Sequence, residues 1–337
     1  MPNLASGIAA AMLTGLWAMP AGAFELPCPV PVRWDLLHQV VLPRTGLDGE
    51  AIGGFSAAVF DPTSAELWLL SDLPRGSVTV WGGLADSLNG GSGPWLQRSL
   101  PLQRDPMDGE GLVRLNDQLW VASEGRRSGD RPASLLQFDG STGRLLQSLD
   151  LPLAWQASDG AGLVANGGPE SLTAWRQPDG ATVLLMAAEQ PLMQDPRGHV
   201  RLLRWQWAAG QAGEQGTPTA ADHGALLLPR GTQWGLTDLL VLEPSGQLLA
   251  LWRQFQFPDQ WQIRLVLYPK ADPLQSRPAA PLAQWDLLST GLVPDNWEAL
   301  TAGPSLPDGS PVLVMVSDDN LSPLQANRLA MLAPRCR

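Results

Sequence analysis

Positive charge is scarce in this sequence. Lys270 is the single lysine among 337 residues, and 33 acidic residues against 22 basic ones give a net charge of −11. Nucleic acid and anionic membrane surfaces repel such a chain, so neither is expected as a partner. The hydrophobic fraction of 44% and the charged fraction of 16% are typical of a folded globular protein. A small molecule is the expected partner, and a monomer is the expected state.

Side chains that build the common metal and nucleophile sites are also few. The three histidines have no mutual metal-ligand spacing, and the two cysteines lie at opposite ends of the chain. Neither set can build a zinc site. The chain has no phosphate-binding P-loop, and the segment around Ser56 lacks the second glycine of a nucleophile elbow. These absences argue against zinc, Ser-His-Asp and P-loop chemistry.

The first 24 residues contain no charged side chain. Residues 7–19 form an apolar segment, and the small residues 21–23 resemble a cleavage site. We therefore predict an export signal over residues 1–23, a mature domain over residues 24–337, and a periplasmic or secreted protein. An uncleaved anchor or a misassigned start codon are the alternatives. No other stretch approaches the length of a membrane span.

The two cysteines, Cys28 and Cys336, lie near the start of the predicted mature chain and near its end. In an exported protein, such a pair predicts a disulfide that ties the termini together. Two unrelated thiols are the alternative.

An internal repeat recurs five times along the chain. In each copy a turn leads to a small or acidic residue and a short apolar strand, and a second turn leads to a second apolar strand that ends in a charged residue. The copies occupy residues 53–72, 108–124, 168–189, 235–253 and 296–318. Each interval between copies holds two further strand-like runs, whereas no segment has a long helical period.

Four strands per repeat are the unit of a propeller blade, so we predict an all-β fold, a β-propeller of five four-stranded blades. Six blades are the alternative, if one long interval hides a degenerate blade. The fifth repeat lacks a fourth strand, which residues 33–43 from the N-terminus can supply. The last blade would then have no exposed seam, and Cys28 would lie close to Cys336.

The motifs within these repeats resemble those of the phytase-like (esterase-like activity of phytase) domain family of bacteria, over residues 32–332. The motifs are Gly-Gly-x-Ser with Ser-Asp, Asp-x-Glu-Gly, Asn-x-Gly-x-Glu, Asp-Asn-x-Glu and Ser-Asp-Asp-Asn. They fall on Gly53, Gly54, Ser56, Ser71, Asp72, Asp108, Glu110, Gly111, Glu124, Asn166, Gly168, Glu170, Glu189, Asp295, Asn296, Glu298, Ser317, Asp318, Asp319, Asn320 and Gln325. The chain departs from the family at Gly167, where Arg is usual, and at Trp252, where Glu is usual.

Equivalent repeat positions in a propeller form rings around its central channel. The predicted first ring is Ser56, Glu110, Glu170, Thr237 and Glu298, and the predicted second ring is Asp72, Glu124, Glu189, Arg253 and Asp318. Converging glutamates must protonate, pair with Arg253 or bind a cation. Oxygen-only ligands suit Ca²⁺ best and Mg²⁺ second. Alternatively, the acids only cap strands and bind backbone N–H groups.

The resemblance and the acidic rings together suggest an exported, metal-assisted hydrolase of phosphoric or carboxylic esters. The candidate catalytic residues are Glu110, Glu170, Glu298 and Arg253. The candidate metal ligands are Asp72, Glu124, Glu189, Asp318 and Asp319, and the candidate substrate-binding residues are Arg75, Arg126 and Arg127. The competing hypothesis is a non-catalytic propeller that binds a ligand or partner around a structural cation. A carbohydrate or lactone enzyme is a third.

Overall fold

The computed structural model of the protein describes residues 24–126, 130–177, 181–207, 216–231, 233–272 and 277–337. Within them, twenty strands form five four-stranded antiparallel sheets. The strands of blade 1 are β2 (Phe55–Asp61), β3 (Glu66–Ser71), β4 (Ser77–Gly82) and β5 (Trp95–Pro101); of blade 2, β6 (Gly109–Leu115), β7 (Gln118–Ser123), β8 (Ser134–Asp139) and β9 (Leu145–Asp150); of blade 3, β10 (Pro169–Arg176), β11 (Thr182–Ala188), β12 (His199–Gln206) and β13 (Thr219–Leu227); of blade 4, β14 (Gly235–Leu242), β15 (Gln247–Gln256), β16 (Gln260–Tyr268) and β17 (Ala283–Asp286); of blade 5, β18 (Asn296–Ala302), β19 (Leu313–Asp318), β20 (Arg328–Arg335) and β1 (Arg33–Val41).

The sheets are arranged in a closed ring. The first strands of successive blades, β2, β6, β10, β14 and β18, contact one another in turn, and β18 contacts β2 again. The described part of the chain is therefore a five-bladed β-propeller, as predicted, and the six-bladed alternative does not hold. A short α-helix (Leu84–Leu88) and a single 3-10 turn (Leu287–Thr290) complete the regular structure described.

The strands that line the channel are more buried than the outermost strand of each blade. The strand β14 is buried at every position, whereas the outermost strands β9 and β17 alternate between half-buried and exposed residues. Inner strands have neighbours on both faces and are therefore continuous apolar runs, while outer strands show the period of two that marks a half-buried strand. This gradient explains why the apolar pairs of each repeat were visible in the sequence.

Five apolar clusters fill the spaces between adjacent blades, one at each blade interface. Tryptophans are the largest fully buried side chains there, and Trp252 between blades 3 and 4 and Trp297 between blades 4 and 5 are examples. Burying a side chain of this size contributes several kcal/mol of transfer free energy, about 25 cal/mol per Å². The buried tryptophans of these clusters therefore serve to join the blades.

The N-terminal strand closes the last blade. Strand β1 pairs with β20 in antiparallel register from Arg33 opposite Arg335 to Val41 opposite Arg328. Cys28 and Cys336 form a disulfide with a Cα–Cα distance of 6.1 Å, so the predicted pairing is confirmed. Residues 1–23, the predicted export signal, lie outside the described residues. Among the residues described, no helix is long and apolar enough to cross a membrane.

The disulfide should stabilise the closed ring. It spans 308 residues, and removing so long a cross-link restores conformational entropy to the unfolded chain. We expect the double variant Cys28→Ser/Cys336→Ser to lose about 2–4 kcal/mol of unfolding free energy in urea denaturation. A thiol titration of the unfolded, unreduced protein should find no free cysteine, and two free thiols would contradict the bridge.

Candidate functional site

Each first strand carries a β-bulge at the same place, near its N-terminal end. The register with the second strand skips one residue per blade, between Phe55 and Ala57, for example, and between Gly109 and Gly111. The skipped residues are Ser56, Glu110, Glu170, Thr237 and Glu298, which are the five members of the predicted first ring. A bulge turns one side chain out of the sheet pattern and is common next to functional sites.

The second ring lies at the same end of the channel. Backbone hydrogen bonds join its members to the residues two positions before the bulges: the N–H of Asp72 donates to Gly54, that of Glu124 to Asp108 and that of Glu189 to Gly168, at 2.8–2.9 Å. In blades 4 and 5 the same pairing joins Arg253 to Gly235 and Asp318 to Asn296. The two rings therefore form one site at one mouth of the channel.

Glycines make room for the second-ring carboxylates. A Cβ atom on Gly168 would lie 2.3 Å from Cγ of Glu124, and one on Gly235 would lie 2.3 Å from Oε1 of Glu189. The N–H of Gly168 also donates to Oε1 of Glu124 at 3.0 Å. Each of these carboxylates thus rests on the start of the next blade, which brings the rings of neighbouring blades into contact.

Arg253 neutralises one half of the site. Its guanidinium donates to the side chains of Asn296 and Glu298, and its Nη2 atom lies 3.6 Å from Oε1 of Glu189. The amide of Asn296 in turn donates to Glu298 at 2.9 Å and to Asp318 at 3.1 Å. The sequence predicted Arg253 as one of five members of the second ring. In the structure it lies at the centre of a hydrogen-bonded network that includes Asn296, Glu298 and Glu189.

The other half of the site has less compensating charge. Asp108, Glu110 and Glu124 each offer a carboxylate oxygen within 4.8 Å of the others. Arg131 donates to Asp108 at 2.5 Å and is the cation paired with this group among the residues described. Two oxygens bound to one Ca²⁺ ion lie at most about 5 Å apart, since each ligand distance is roughly 2.5 Å. The spacing and the donor type therefore fit a calcium ion.

Burial and mutual repulsion raise the pKa of most carboxyls here. The pKa values of Glu110 and Glu170 lie well above the usual range because burial disfavours the anions and neighbouring carboxylates repel them. For the same reasons the pKa of Asp72 rises to about 7, that of Glu124 to about 7 and that of Asp318 to about 8. Without a bound cation, the site holds protons at neutral pH.

Ser56 and Thr237, the members of the first ring without a charge, hold blades together. The hydroxyl of Ser56 donates to the carbonyl of Gly109, and that of Thr237 lies 3.3 Å from the carbonyl of Trp297. Both acceptors belong to the next blade. The acidic character of the first ring is thus concentrated on blades 2, 3 and 5.

Asp319 lies beside the second ring, where its charge contributes to the raised pKa of Asp72 and of Asp318. It is fully buried, its Oδ2 lies 2.8 Å from Nε of Arg44, and its Oδ1 accepts from the N–H groups of Gly54 and Leu321. These contacts tie the β19–β20 loop to the start of blade 1. Asp319 is thus held by Arg44 and by backbone groups, and it adds negative charge next to Asp72 and Asp318.

The arginines predicted to bind substrate lie on loops at the same end of the propeller. Arg75 is 93% exposed and Arg126 is 57% exposed, and their closest acidic neighbours, Asp105 and Asp130, are 3.9 and 3.8 Å away. Arg127 lies outside the described residues. Trp252, at a position where the family has Glu, is buried between blades 3 and 4 and belongs to neither ring.

Three residues of the site were missed as candidates. Asp108 and Asn296 each precede a first-ring glutamate by two residues, so a comparison of the repeats at that position was the signal that could have found them. Arg131 lies on an irregular loop between β7 and β8, and no repeat position marks it. Its partnership with Asp108 depends on the folding of that loop.

The sequence comparison decides the family. The family described as "Esterase-like activity of phytase" matches residues 50–321, which is most of the chain. The protein belongs to the phytase-like family. Both rings and all the carboxylates around them fall inside the matched residues. A comparison with curated proteins found no match.

The solved structures found by a structural comparison are distant in sequence from this phytase-like protein. A thermostable family-43 glycoside hydrolase shares 11% identity and a TM-score of 0.47, with 87% of this chain and 91% of the other covered. An endo-arabinase from Bacteroides thetaiotaomicron shares 13% identity and a TM-score of 0.45, covering 84% and 94%. Hydrazine synthase from Kuenenia stuttgartiensis shares 10% identity and a TM-score of 0.36, covering 85% and 66%.

The raised pKa values predict that the cation-free protein loses stability as pH rises. Asp72, Glu124 and Asp318 bind protons in the folded state up to pH 7–8, whereas the unfolded carboxyls release them near pH 4. Their contribution is fully present below pH 4 and is lost as pH rises through 7–8. In EDTA, we expect the midpoint temperature of thermal unfolding to decrease as the pH is raised from 5 to 8. A midpoint that does not change over this range would contradict the shifts.

Replacing Arg253 should lower the free energy of unfolding by an amount that depends on pH. Arg253→Met leaves buried carboxylates without their partner, which typically costs about 3–5 kcal/mol. The loss should be larger at pH 8 than at pH 5, because protonation of the stranded acids relieves it at low pH. Urea denaturation at both pH values measures it, with Arg33→Met as the control, since Arg33 forms an exposed ion pair with Asp35. An equal loss at both pH values would contradict this account.

Proposed function

We propose that this phytase-like protein is a cation-dependent hydrolase of ester bonds, with its active site at the acidic mouth of the channel. The observation that carries the proposal is the cluster of Asp108, Glu110 and Glu124, whose oxygens lie within 4.8 Å of one another and are incompletely neutralised. The family's description as esterase-like supports the reaction class. The substrates proposed are phosphoric or carboxylic esters.

Asp108, Glu110 and Glu124 would hold the ion. Asp72 and Glu189, which interact electrostatically with Glu110 and Glu124, would contribute to its field, and the same role is proposed for Asp318 through Asp72. Carboxylate oxygens select hard cations, and the flexible coordination of Ca²⁺ suits loop and bulge ligands better than the strict octahedron of Mg²⁺. Bound there, the ion would supply Lewis acidity to an ester oxygen and acidify a water molecule. It would also offset the repulsion between an acidic protein and an anionic substrate.

The remaining ring residues have roles that follow from their protonation and partners. Burial and the neighbouring carboxylates raise the pKa of Glu170 well above its usual range, so we assign to its carboxyl the donation of a proton to the leaving oxygen of an ester. Arg253 orients Glu298 by a direct hydrogen bond and holds Asn296 beside it. Arg75 and Arg126 are proposed to attract anionic groups of the substrate at the mouth, where their exposed guanidinium groups have donors to spare. The same role is proposed for Arg127 from its position in the sequence.

A propeller that binds a ligand without turning it over is the second candidate. The observation in its favour is that the two arginines in contact with ring carboxyls or their neighbours, Arg253 and Arg131, are already held by acidic partners. An active centre for anionic esters would profit from an unengaged cation beside the metal. In this candidate the bound ion is structural.

We further propose that the protein acts outside the cytoplasm as a monomer. The disulfide between Cys28 and Cys336 is the supporting observation, because disulfides persist in oxidising compartments. The apolar residues 1–23 are proposed as a cleaved export signal. Mass spectrometry of the N-terminus of the exported protein tests the cleavage directly.

Metal content and turnover together test the function. We would measure calcium bound to the purified chain from residue 24 and then the hydrolysis of 4-nitrophenyl phosphate and 4-nitrophenyl acetate with Ca²⁺, with Mg²⁺ and with EDTA. Glu110→Gln should weaken calcium binding about tenfold to a hundredfold and lower kcat/KM at least as much. Turnover that EDTA abolishes and Ca²⁺ restores is the expected result.

The matched control is Glu25→Gln, which removes an exposed carboxylate outside the channel and should change neither quantity. Glu170→Gln should retain calcium but lose turnover if its carboxyl is the proton donor. Folded protein that binds calcium and hydrolyses neither ester would reject the hydrolase and favour the binding protein. Calcium binding unaffected by Glu110→Gln would reject the site itself.

A further inference from the structure

Blade 4 carries a hairpin that extends past the channel mouth. In the other blades, pairing between the second and third strands stops at or before the second-ring position, for instance at Ser71 and Ser77 in blade 1. In blade 4 it continues past Arg253 to Gln256 and Gln260, which is three further residues, or about 10 Å of strand. We call residues 254–262 the aromatic hairpin.

The aromatic hairpin exposes apolar rings to solvent. Among the aromatic side chains of the described residues, the most exposed are Phe257 at 89%, Trp95 at 44% and Phe255 at 43%. Two of these three belong to the hairpin, and Trp95 lies at the opposite end of blade 1. Phe255 packs against Trp261 with 4.5 Å between ring centroids. Every other aromatic ring of blade 4 is largely covered, so this exposure is local.

The exposed rings continue directly from the site. Side chains two residues apart on a strand lie on one face about 7 Å apart, so Phe255 lies on the same face of β15 as Arg253. Trp261, the cross-strand partner of Phe255, shares that face with Ile263, the partner of Arg253. A polar group held near the network of Arg253 would therefore place an attached apolar group against Phe255 and Trp261.

Other loops at this mouth also expose apolar side chains. They are Leu47, Leu153, Met193, Leu321 and Leu324, which are 46–93% exposed and lie in loops that follow β1, β9, β11 and β19. All of these loops lie at the end of the propeller where the first strands begin. The acidic centre is thus surrounded by an apolar margin, which is an arrangement that matches an amphipathic ligand.

We propose that the aromatic hairpin binds the apolar acyl or aryl group of the ester whose polar end enters the acidic channel mouth. This inference rests on the proposed function for the word ester, and it assigns the substrate class as esters of hydrophobic acids or phenols. Phe255 and Phe257 are its specificity-determining residues. A longer apolar group buries more area against the exposed aromatic rings and should therefore bind more tightly.

Two measurements test the assignment. The first compares kcat/KM for 4-nitrophenyl octanoate and 4-nitrophenyl acetate. The second compares the calorimetric affinities of octanamide and acetamide, which are uncharged and do not depend on a bound cation or on turnover. The wild-type protein should favour each eight-carbon compound about tenfold or more, since burying part of six additional methylene groups suffices for this.

The double variant Phe255→Ala/Phe257→Ala should lower that preference to less than about twofold. Trp95→Ala, an equally exposed aromatic at the opposite end, is the matched control and should keep the full preference. Circular dichroism and the thermal midpoint verify that each variant is folded. A preference that survives the double substitution, or is absent from the wild type, would overturn the proposal.

The outcomes separate this proposal from the hydrolase. Octanamide preference without turnover of any ester retains the apolar site and rejects the enzyme, whereas turnover without chain-length preference retains the enzyme and rejects the apolar site. Sedimentation of both proteins gives a further check. If the wild-type protein sediments as a dimer and the double variant as a monomer, a second copy of the chain covers the rings. That result would also overturn the proposal.

Discussion

Pairing of the first strand with the last strand is the constraint on which this structure depends. A propeller blade buries its faces only against its neighbours, so an open ring would expose two apolar faces and two strand edges. Strand β1 supplies the missing edge of blade 5, and the disulfide holds the two ends of the chain beside each other. Closure then places the inner strands of all five blades around one axis.

Closure has an electrostatic consequence at one mouth of the channel. The bulges direct Glu110, Glu170 and Glu298 towards a shared space, where the hydration that an ion loses on burial must be replaced. The protein replaces it with a guanidinium on the side of blade 4 and with protons, or a cation, on the side of blade 2. The five blades are alike in fold, but their charges differ: the mouth of the channel is positively charged at Arg253 of blade 4 and negatively charged at the carboxylates of blade 2.

Stability and function are opposed in this arrangement. Interblade packing of large tryptophans and leucines supplies the favourable free energy, and the carboxyl cluster consumes part of it. Clusters whose pKa values are displaced by burial and by like charges are common at functional sites. The apolar margin with its aromatic hairpin adds a second unfavourable exposure at the same mouth, and the two together give that end of the propeller an amphipathic character.

Much of this could be predicted from the residues alone. The period of the repeats predicted the fold, a count of five blades with six as the alternative, and the closing strand, because each blade is a local unit whose apolar runs appear in order along the chain. It also determined which residues are equivalent, and those equivalent positions are the bulges. The tertiary structure decided the partners: that Arg253 binds Glu298 and Asn296, that Arg131 reaches Asp108, and that Asp319 pairs with Arg44 beside the second ring. Such contacts join residues from different blades or from irregular loops, and repeat spacing carries no information about them. Residues on different blades come within contact distance across the channel only when the ring has closed.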